Sequence, residues 1–545
     1  MEFNFADVHE AIAETIPDRE ALVFRDRRFT HRQVAERTRR LANYLLSRGL
    51  RLEKERGDLS GHESGQDHVA LYLYNGNEYL EGMIGAWKAR LASVNVNYRY
   101  VEEELLYLFE NSRSRAVIFH SEFAPQIAAI RDKLPNLEVL IQVADDSGNE
   151  LLPGAVDYEE ALAGASTAKP DVTPNGDDLY IVYTGGTTGM PKGVLWRSAD
   201  IFVAAMGGRK QDGNELGSLD ELREQVKGGE ALRGLVGPPF MHGAAQWSSF
   251  ILMSMGAGLV VPDVVKKLDP DDFLSKVGPE KITSITMVGD AFARPLLDQM
   301  EKKDYDLSTL FILGSGGAPL STANKEALLE KIPHAMIFDG IGSSETGAQG
   351  TNTSTKGTGA TTGKFQPGPG ACVLSEDLTR VLAPGSDEMG WFAQGGRVPL
   401  GYFGDPEKTA RTFPVVEGQR YSVPGDRARY KSDGTIEVLG RDSVTINSGG
   451  EKIFAEEVEQ ALKQHADVYD TVVTGRPSER WGQEVVAVVH LRDGAAATRE
   501  DLLAEAGKHI ARYKLPKDFV FCDKIERSPS GKADYRWAKA QVGQE

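Results

Sequence analysis

The chain has 545 residues, more than one hydrophobic core ordinarily supports, so at least two domains are expected. Its 41% hydrophobic and 26% charged content is that of a globular protein, and no run approaches the roughly 18 uninterrupted apolar residues of a membrane span. A net charge of −18 argues against general binding to DNA, RNA or anionic lipid, so any phosphate ligand must be held in a local pocket.

The N-terminus, "MEFNFADVHEAIAETIPDRE", is acidic and lacks the basic start and apolar core of a secretory leader. Val8, Ala11, Ile12 and Ile16 recur there at helical spacing, and Val34, Thr38, Leu41 and Leu45 predict a helix over 33–46. A charged excursion, "RLEKERGDLSGHESGQD", follows at 51–67. Between about 68 and 340, the runs "HVALYLY", "AVIFH", "EVLIQV", "LYIVYT", "GLVVP", "SITMV" and "HAMIFD" alternate with helical periodicity, the pattern of parallel sheets with crossover helices. A polar insertion occupies 207–230, and the Gly-, Thr- and Pro-rich stretch 350–370 is expected to be mobile, either as a linker or as a gate over a site. After "GDPEKTARTF" and "YSVPGDRARYKSDGTIEVLGR" the chain becomes a compact unit with a helix over 455–465, which places a boundary near Arg441-Asp442 and two domains at 1–441 and 442–545. Cys372 and Cys522 suggest neither a zinc site nor a disulfide framework, and a reducing cytoplasm fits them.

The strand Leu179–Val182 runs into "YTGGTTGMPKGV", Tyr183 to Val194. Closely spaced backbone N–H groups and threonine hydroxyls suit phosphate oxygens, and Lys192 adds charge. A Walker A loop needs Gly before and Ser or Thr after its lysine; Pro191 and Gly193 stand there instead, so the loop is either another phosphate cradle or a turn.

The full string resembles the phosphate loop of the adenylate-forming superfamily, which includes acyl-CoA synthetases, luciferases and peptide-synthetase adenylation domains. "PPFMHGAAQW", "GSGGAPL", "DGIGSSETG", "YSVPGDRARY", "GRDSVTINSGGEKIFAEEVE" and "SPSGKADYRW" follow in the order of that family. "NVNYRYVEEELLYLFENS", "GDAFARPLLD" and "SPSGKADYRWAK" are similar, more narrowly, to actinobacterial fatty-acyl and steroid side-chain CoA ligases. The resemblance implies an α/β fold: a large N-terminal domain of layered sheets plus a small barrel, and a small mobile α+β lid. It also implies that ATP and a carboxylic acid give acyl-adenylate and pyrophosphate, after which a thiol takes the acyl group.

Carried onto this chain, the resemblance assigns Lys532 to the acyl-transfer chemistry and Glu345, with Thr184, to Mg²⁺. Thr184, Gly185, Gly186, Thr187, Thr188 and Lys192 become the phosphate loop, and Asp426 and Arg441 the ribose contacts. Gly316, Gly317, Ala318 and Pro319 lie along the adenine, joined by Asp339, Gly340, Ile341 and Ser344 of the motif that follows. Ile341 replaces the family's usual tyrosine, so apolar contact stands in for aromatic stacking. His242 matches a position beside the acyl group and phosphate, where it positions substrate, since a carboxylate needs no deprotonation at neutral pH. Gly289 and Gly314 stand where the family lines its acyl pocket.

In the acyl-CoA synthetases a lid rotates about a hinge residue, matched by Asp442, to exchange a lysine face for a glycine-rich face beside the pantetheine channel. Ser448, Gly449, Gly450 and Lys452 match the latter and imply CoA. The expected partners are a carboxylic acid, ATP and CoA, with no nucleic acid or transmembrane segment and with a homodimer as a candidate assembly. Two alternatives stand beside this reading: transfer of the adenylate to a carrier protein, and a nucleotide-binding module without turnover. The pair Lys532 and Glu345 argues against the second. Acid chain length, ring preference and oligomeric state are not given by the sequence.

Overall fold

The computed structural model describes residues 1–543 except 186–189, 211, 387, 449–450 and 529–530. Three sheets organise it. In the first, strands Glu20–Phe24, Gly258–Val261, Arg233–Val236, Ser284–Met287, Ile312–Gly316 and Met336–Ser343 lie side by side and parallel. The second joins Lys192–Arg197, Leu179–Thr184, Ala92–Asn95, His68–Tyr72, Ser114–His120 and Val139–Val143. All seven apolar runs singled out in the sequence are strands, and the helix expected over 33–46 spans His31–Ser47.

The alternation of side chains along each strand divides the cores. Val69, Leu71, Ala116 and Ile118 face inward between the two sheets, where they meet Leu22, Phe24, Leu259, Val261 and the helices Phe5–Thr15, His31–Ser47 and Asn77–Lys88. Their neighbours Ala70, Tyr72, Val117 and Phe119 point outward against helices Glu102–Ser112 and Ala124–Arg131. The outer face of the first sheet is covered by Phe292, Ala293, Leu296, Leu328 and Leu329 of two further helices. Apolar strands buried on both faces are what a parallel sheet between helix layers requires.

One expectation is corrected. The stretch 350–370, read as mobile, is largely ordered: Gly347–Thr355 pairs antiparallel with Met336–Ser343, and Lys364–Pro367 bridges onward to Ile436–Arg441. Its threonines and glycines supply short side chains on a ladder, a role that composition does not distinguish from that of a linker. The strands expected as a small barrel continue from the first sheet as an antiparallel extension. They carry small cores of their own, around Val373, Phe392, Ala428 and Ile436 and around Leu374, Ala393 and Tyr421.

Neither charged excursion stands free of the body. His62 accepts a hydrogen bond from Gly404 N at 2.8 Å, and Glu55 pairs with Arg90 at 2.9 Å, tying 51–67 to the second sheet. The 207–230 region forms the helix Leu219–Lys227, whose Leu222 and Val226 enter the main core.

Beyond Arg441 a third, five-stranded sheet begins, centred on the hairpin Val468–Ser478 and Gly482–Leu491. Val473, Val485, Ala487 and Val489 face helix Ala455–Leu462, while Val472, Val486 and Val488 face Ala538 and Val542 near the C-terminus. This small α+β unit packs its own core on both faces. Among the described residues no helix is long and apolar enough to cross a membrane.

Candidate active site

Strand ends and tight turns carry most of the predicted residues that the structure describes. Thr184 ends its strand directly opposite Lys192, the first residue of the antiparallel strand Lys192–Arg197. Gly186, Thr187 and Thr188 lie outside the described residues. Lys192 Nζ is 2.9 Å from Asp405 Oδ2, a partner absent from the motif reading.

Glu345 sits in the turn joining Met336–Ser343 to Gly347–Thr355 and is held on three sides. Trp196 Nε1 donates to Ser344 O at 2.8 Å, Ser422 Oγ donates to Glu345 O at 2.6 Å, and the Tyr402 hydroxyl donates to Glu345 Oε1 at 2.8 Å. One carboxylate oxygen is therefore anchored and the other remains for a ligand. No group of three His, Cys, Asp or Glu side chains suited to a metal is present among the described residues. A single hard carboxylate oxygen suits Mg²⁺, which keeps waters and takes its remaining oxygens from phosphate.

Asp426 and Arg441 are cross-strand partners, with Arg441 Nε 3.3 Å from Asp426 Oδ1. Lys532, from the far end of the chain, joins them. It is solvent-accessible in the cleft, yet the surrounding protein lowers its pKa, with Arg441 pushing it down further and Glu345 and Asp426 opposing. His242 feels burial first, then Lys532 and Arg99, and its pKa falls to about 3. Its imidazole is neutral at physiological pH, and the buried Nε2 has no hydrogen-bond partner among the described residues. Such an orphan polar atom beside a cationic cleft is suited to meet a substrate.

The adenine strip follows the strand Ile312–Gly316. Gly317 adopts φ +83°, a turn that favours glycine, and leads into Ala318 and Pro319. Gly340 pairs with Gly316 across the sheet. Three of these positions have structural roles of their own. The Asp339 side chain is buried and paired with Lys325 Nζ at 2.8 Å, so only its backbone is available to a nucleotide. Burial raises that carboxyl to about 6, against the pull of Lys325. Ile341 packs against the small core of Val373, Phe392 and Ile436, making its apolar character partly structural. Gly289 has a backbone reason for lacking a side chain: φ is +47°, and a Cβ would lie 2.3 Å from Pro319 O and 2.6 Å from Ala318 O. It lets the two segments approach and does not simply widen a pocket. Gly314 has a looser fit, with its nearest contact to Ile285 O at 3.3 Å.

At the exit from the large body, Gly440 takes φ +141°, Asp442 N donates to Gly425 O at 3.0 Å, and a short 3₁₀ turn Asp442–Val444 leads into the third sheet. The hairpin Ile446–Ser448 and Glu451–Ile453 follows. Lys452 lies 3.9 Å from Glu376 and 4.0 Å from Asp442, apart from the charges that act on Lys532. Ser448 is buried, and Gly449 and Gly450 lie outside the described residues.

Sequence reasoning missed Tyr402, Asp405 and Lys408. The Lys408 ammonium stands 4.3 Å from the centre of the Tyr402 ring, and burial and then Lys192 lower its pKa. All three lie in "GYFGDPEKTARTF", residues 401–413, where the clustering of Gly, Tyr, Asp and Lys was the available signal.

Residues 9–390 match the model of the AMP-binding enzyme family, and 457–532 match that of the AMP-binding enzyme C-terminal domain. The chain belongs to the AMP-binding enzyme family. Within it, the chain is 55% identical over 541 residues to the medium-chain acyl-CoA ligase Mig of Mycobacterium avium, covering 99% of this chain and 98% of that protein. It is 40% identical over 547 residues to a medium/long-chain-fatty-acid–CoA/3-oxocholest-4-en-26-oate–CoA ligase of Mycolicibacterium smegmatis, covering 99% and 96%. The AMP-binding fold is shared with the crystal structure of the anthranilate CoA ligase AuaEII in complex with anthranoyl-AMP, at a TM-score of 0.82 and 22% identity over 99% and 97% of the two chains.

Proposed function

We propose that this protein is an ATP-dependent, AMP-forming acyl-CoA ligase whose acid is a medium- or long-chain fatty acid or a steroid side-chain carboxylate. The observation that carries the reading is the convergence of Lys532 on His242, Glu345, Asp426 and Arg441, from opposite ends of a chain related along nearly its whole length to such ligases.

In the first step a carboxylate oxygen attacks the α-phosphorus of ATP and the bond to the β-phosphate oxygen breaks, releasing pyrophosphate. The barrier lies in bringing an anion onto an already anionic phosphate, so fixed positive charge is what the protein must supply. Lys532 and Arg441 provide it from two sides. Neutral His242 offers its free nitrogen to orient the acid without adding charge. Asp426 accepts from ribose hydroxyls, while Gly316 to Pro319 admit the flat base. Lys192 and Gly185 belong to the clamp on the leaving phosphates. Glu345 and Thr184 would hold Mg²⁺, which when bound offsets phosphate charge.

In the second step the CoA sulfur, having lost its proton, attacks the acyl carbonyl and AMP departs. A cleft closed by Lys532 must open for that thiol, and we assign the pivot to Asp442, the boundary to Arg441-Asp442, and the replacement face to Ser448–Lys452. The test is to follow acyl-AMP, AMP and thioester with CoA or a carrier protein as acceptor. Acyl-AMP formation without acyl-CoA would overturn the acceptor.

A further inference from the structure

Five buried charges meet where the small C-terminal unit rests on the large body, and the chemistry above uses none of them. Asp290 and Arg294 lie on helix Gly289–Met300, one turn apart, with 3.2 Å between them. Lys463, Asp470 and Arg527 come from the small unit. Lys463 Nζ lies 3.6 Å from Asp290 and 3.3 Å from Asp470, and Arg294 reaches Asp470 at 3.4 Å. Arg527 grips both oxygens of Asp470 at 2.7 Å. All five side chains are largely shielded, from 4% exposed for Lys463 to 16% for Arg527. Although burial alone would raise it, Lys463, Arg527 and Arg294 hold the Asp470 carboxyl well below the usual carboxylate range.

We propose that Asp290, Arg294, Lys463, Asp470 and Arg527 form an ionic latch that docks the small unit in its acyl-adenylate-forming position and so places Lys532. They are positioning residues for the first half-reaction. The inference rests on the two-step reading above.

Two connections give the latch its effect. Arg527 also donates to Gly531 O at 3.1 Å, bracing the turn that carries Lys532, and that turn packs against the start of the Asp290 helix. A Cβ at Gly531 would lie 3.0 Å from both Ala291 and Val288. On the other side, Asp290 Oδ1 accepts from Ser321 N at 2.8 Å and from Asn324 Nδ2 at 2.7 Å, and Asp290 N donates to Pro319 O at 3.0 Å. One carboxylate thus holds the start of helix Thr322–Lys331 with Oδ1 and faces Lys463 of the docked unit with Oδ2.

The composition of the contact suits a surface that must part. Each side keeps an internal ion pair when separated, Asp290 with Arg294 and Asp470 with Lys463 and Arg527, so no charge is stranded. Charged groups regain hydration on exposure to water, whereas a large apolar contact would resist opening.

The test uses the full-length protein with Lys463→Met, Arg294→Met and the conservative Lys463→Arg, each checked for an unchanged melting profile. Acyl-AMP formation from acid and ATP should fall about 10- to 100-fold in the two methionine variants, the range of coupling through contacting charges. Conversion of supplied acyl-AMP and CoA to thioester should stay within about threefold of wild type, and Lys463→Arg should recover most of the first rate. Equal losses in both half-reactions, or no loss in the first, would overturn the latch. A wild-type protein that makes no acyl-AMP from any acid would overturn the reading beneath it.

Discussion

Replacing Lys532 by alanine tests the division of labour in the cleft. The ammonium shares its field with Arg441 and faces Glu345 and Asp426, so its loss removes one of two converging positive charges. A unit charge about 4 Å from another contributes roughly 4 kcal/mol at an effective dielectric of about 20, and the solvent access of Lys532 reduces this. Loss of a preorganised donor of this kind costs about 3–4 kcal/mol, so acyl-AMP formation should drop by about 10²–10³-fold. Thioester formation from supplied acyl-AMP should stay within about threefold, because the proposed lid movement takes Lys532 away before that step. Rapid-quench measurement of each half-reaction separates the two. The pH dependence has a definite sign: the charged form acts, and its pKa is lowered, so adenylation should decline with rising pH earlier than for an ordinary lysine. Lys532→Arg should move that decline upward. Equal loss in both half-reactions for Lys532→Ala would refute the reasoning.

Glu345→Gln should raise the Mg²⁺ concentration needed for half-maximal adenylation by about tenfold or more while leaving acid affinity nearly unchanged, measured by metal titration. Gly289→Ala should raise the KM for ATP, since its Cβ would press on Ala318 O and Pro319 O, and an unchanged KM would show that the strip yields. Glu456, buried beside the hinge with Oε1 3.5 Å from Arg441 N, has its carboxyl raised to about 8 by burial and then by Glu459. The folded state therefore holds a proton that the unfolded chain releases above the ordinary carboxylate range. Stability should fall as pH rises toward about 8, and Glu456→Gln should flatten that slope by a few kcal/mol in melts across the range.

The parallel sheets were legible because strands buried on both faces read as unbroken apolar runs, as in Leu179–Val182. The motifs that propose the site fall where a strand meets a turn, as at Thr184, Glu345 and Asp426. Pairings across distant segments were not. Nothing in "GDPEKT" indicates that Asp405 meets Lys192, or that Tyr402 anchors Glu345 across 57 positions. Asp339 had the residue type for a nucleotide contact, but its side chain points toward Lys325 because alternate residues of a strand face opposite ways. The threonine-rich ladder at 347–355 was misread because short polar side chains serve a covered strand as readily as a linker. Asp290 and Arg294 stand in "GDAFARPLLD", but Lys463, Asp470 and Arg527 lie outside every quoted motif, and the five-charge contact was not legible because its members meet only when two units dock.

The central claim is a reaction, and incubating the wild-type protein with ATP, Mg²⁺, CoA and a panel of fatty acids and steroid side-chain acids tests it most directly. One acyl-CoA, one AMP and one pyrophosphate are expected for each acid consumed, with acyl-AMP accumulating when CoA is withheld. Failure of every acid to yield acyl-AMP, or acyl-CoA formation accompanied by ADP and phosphate, would contradict it.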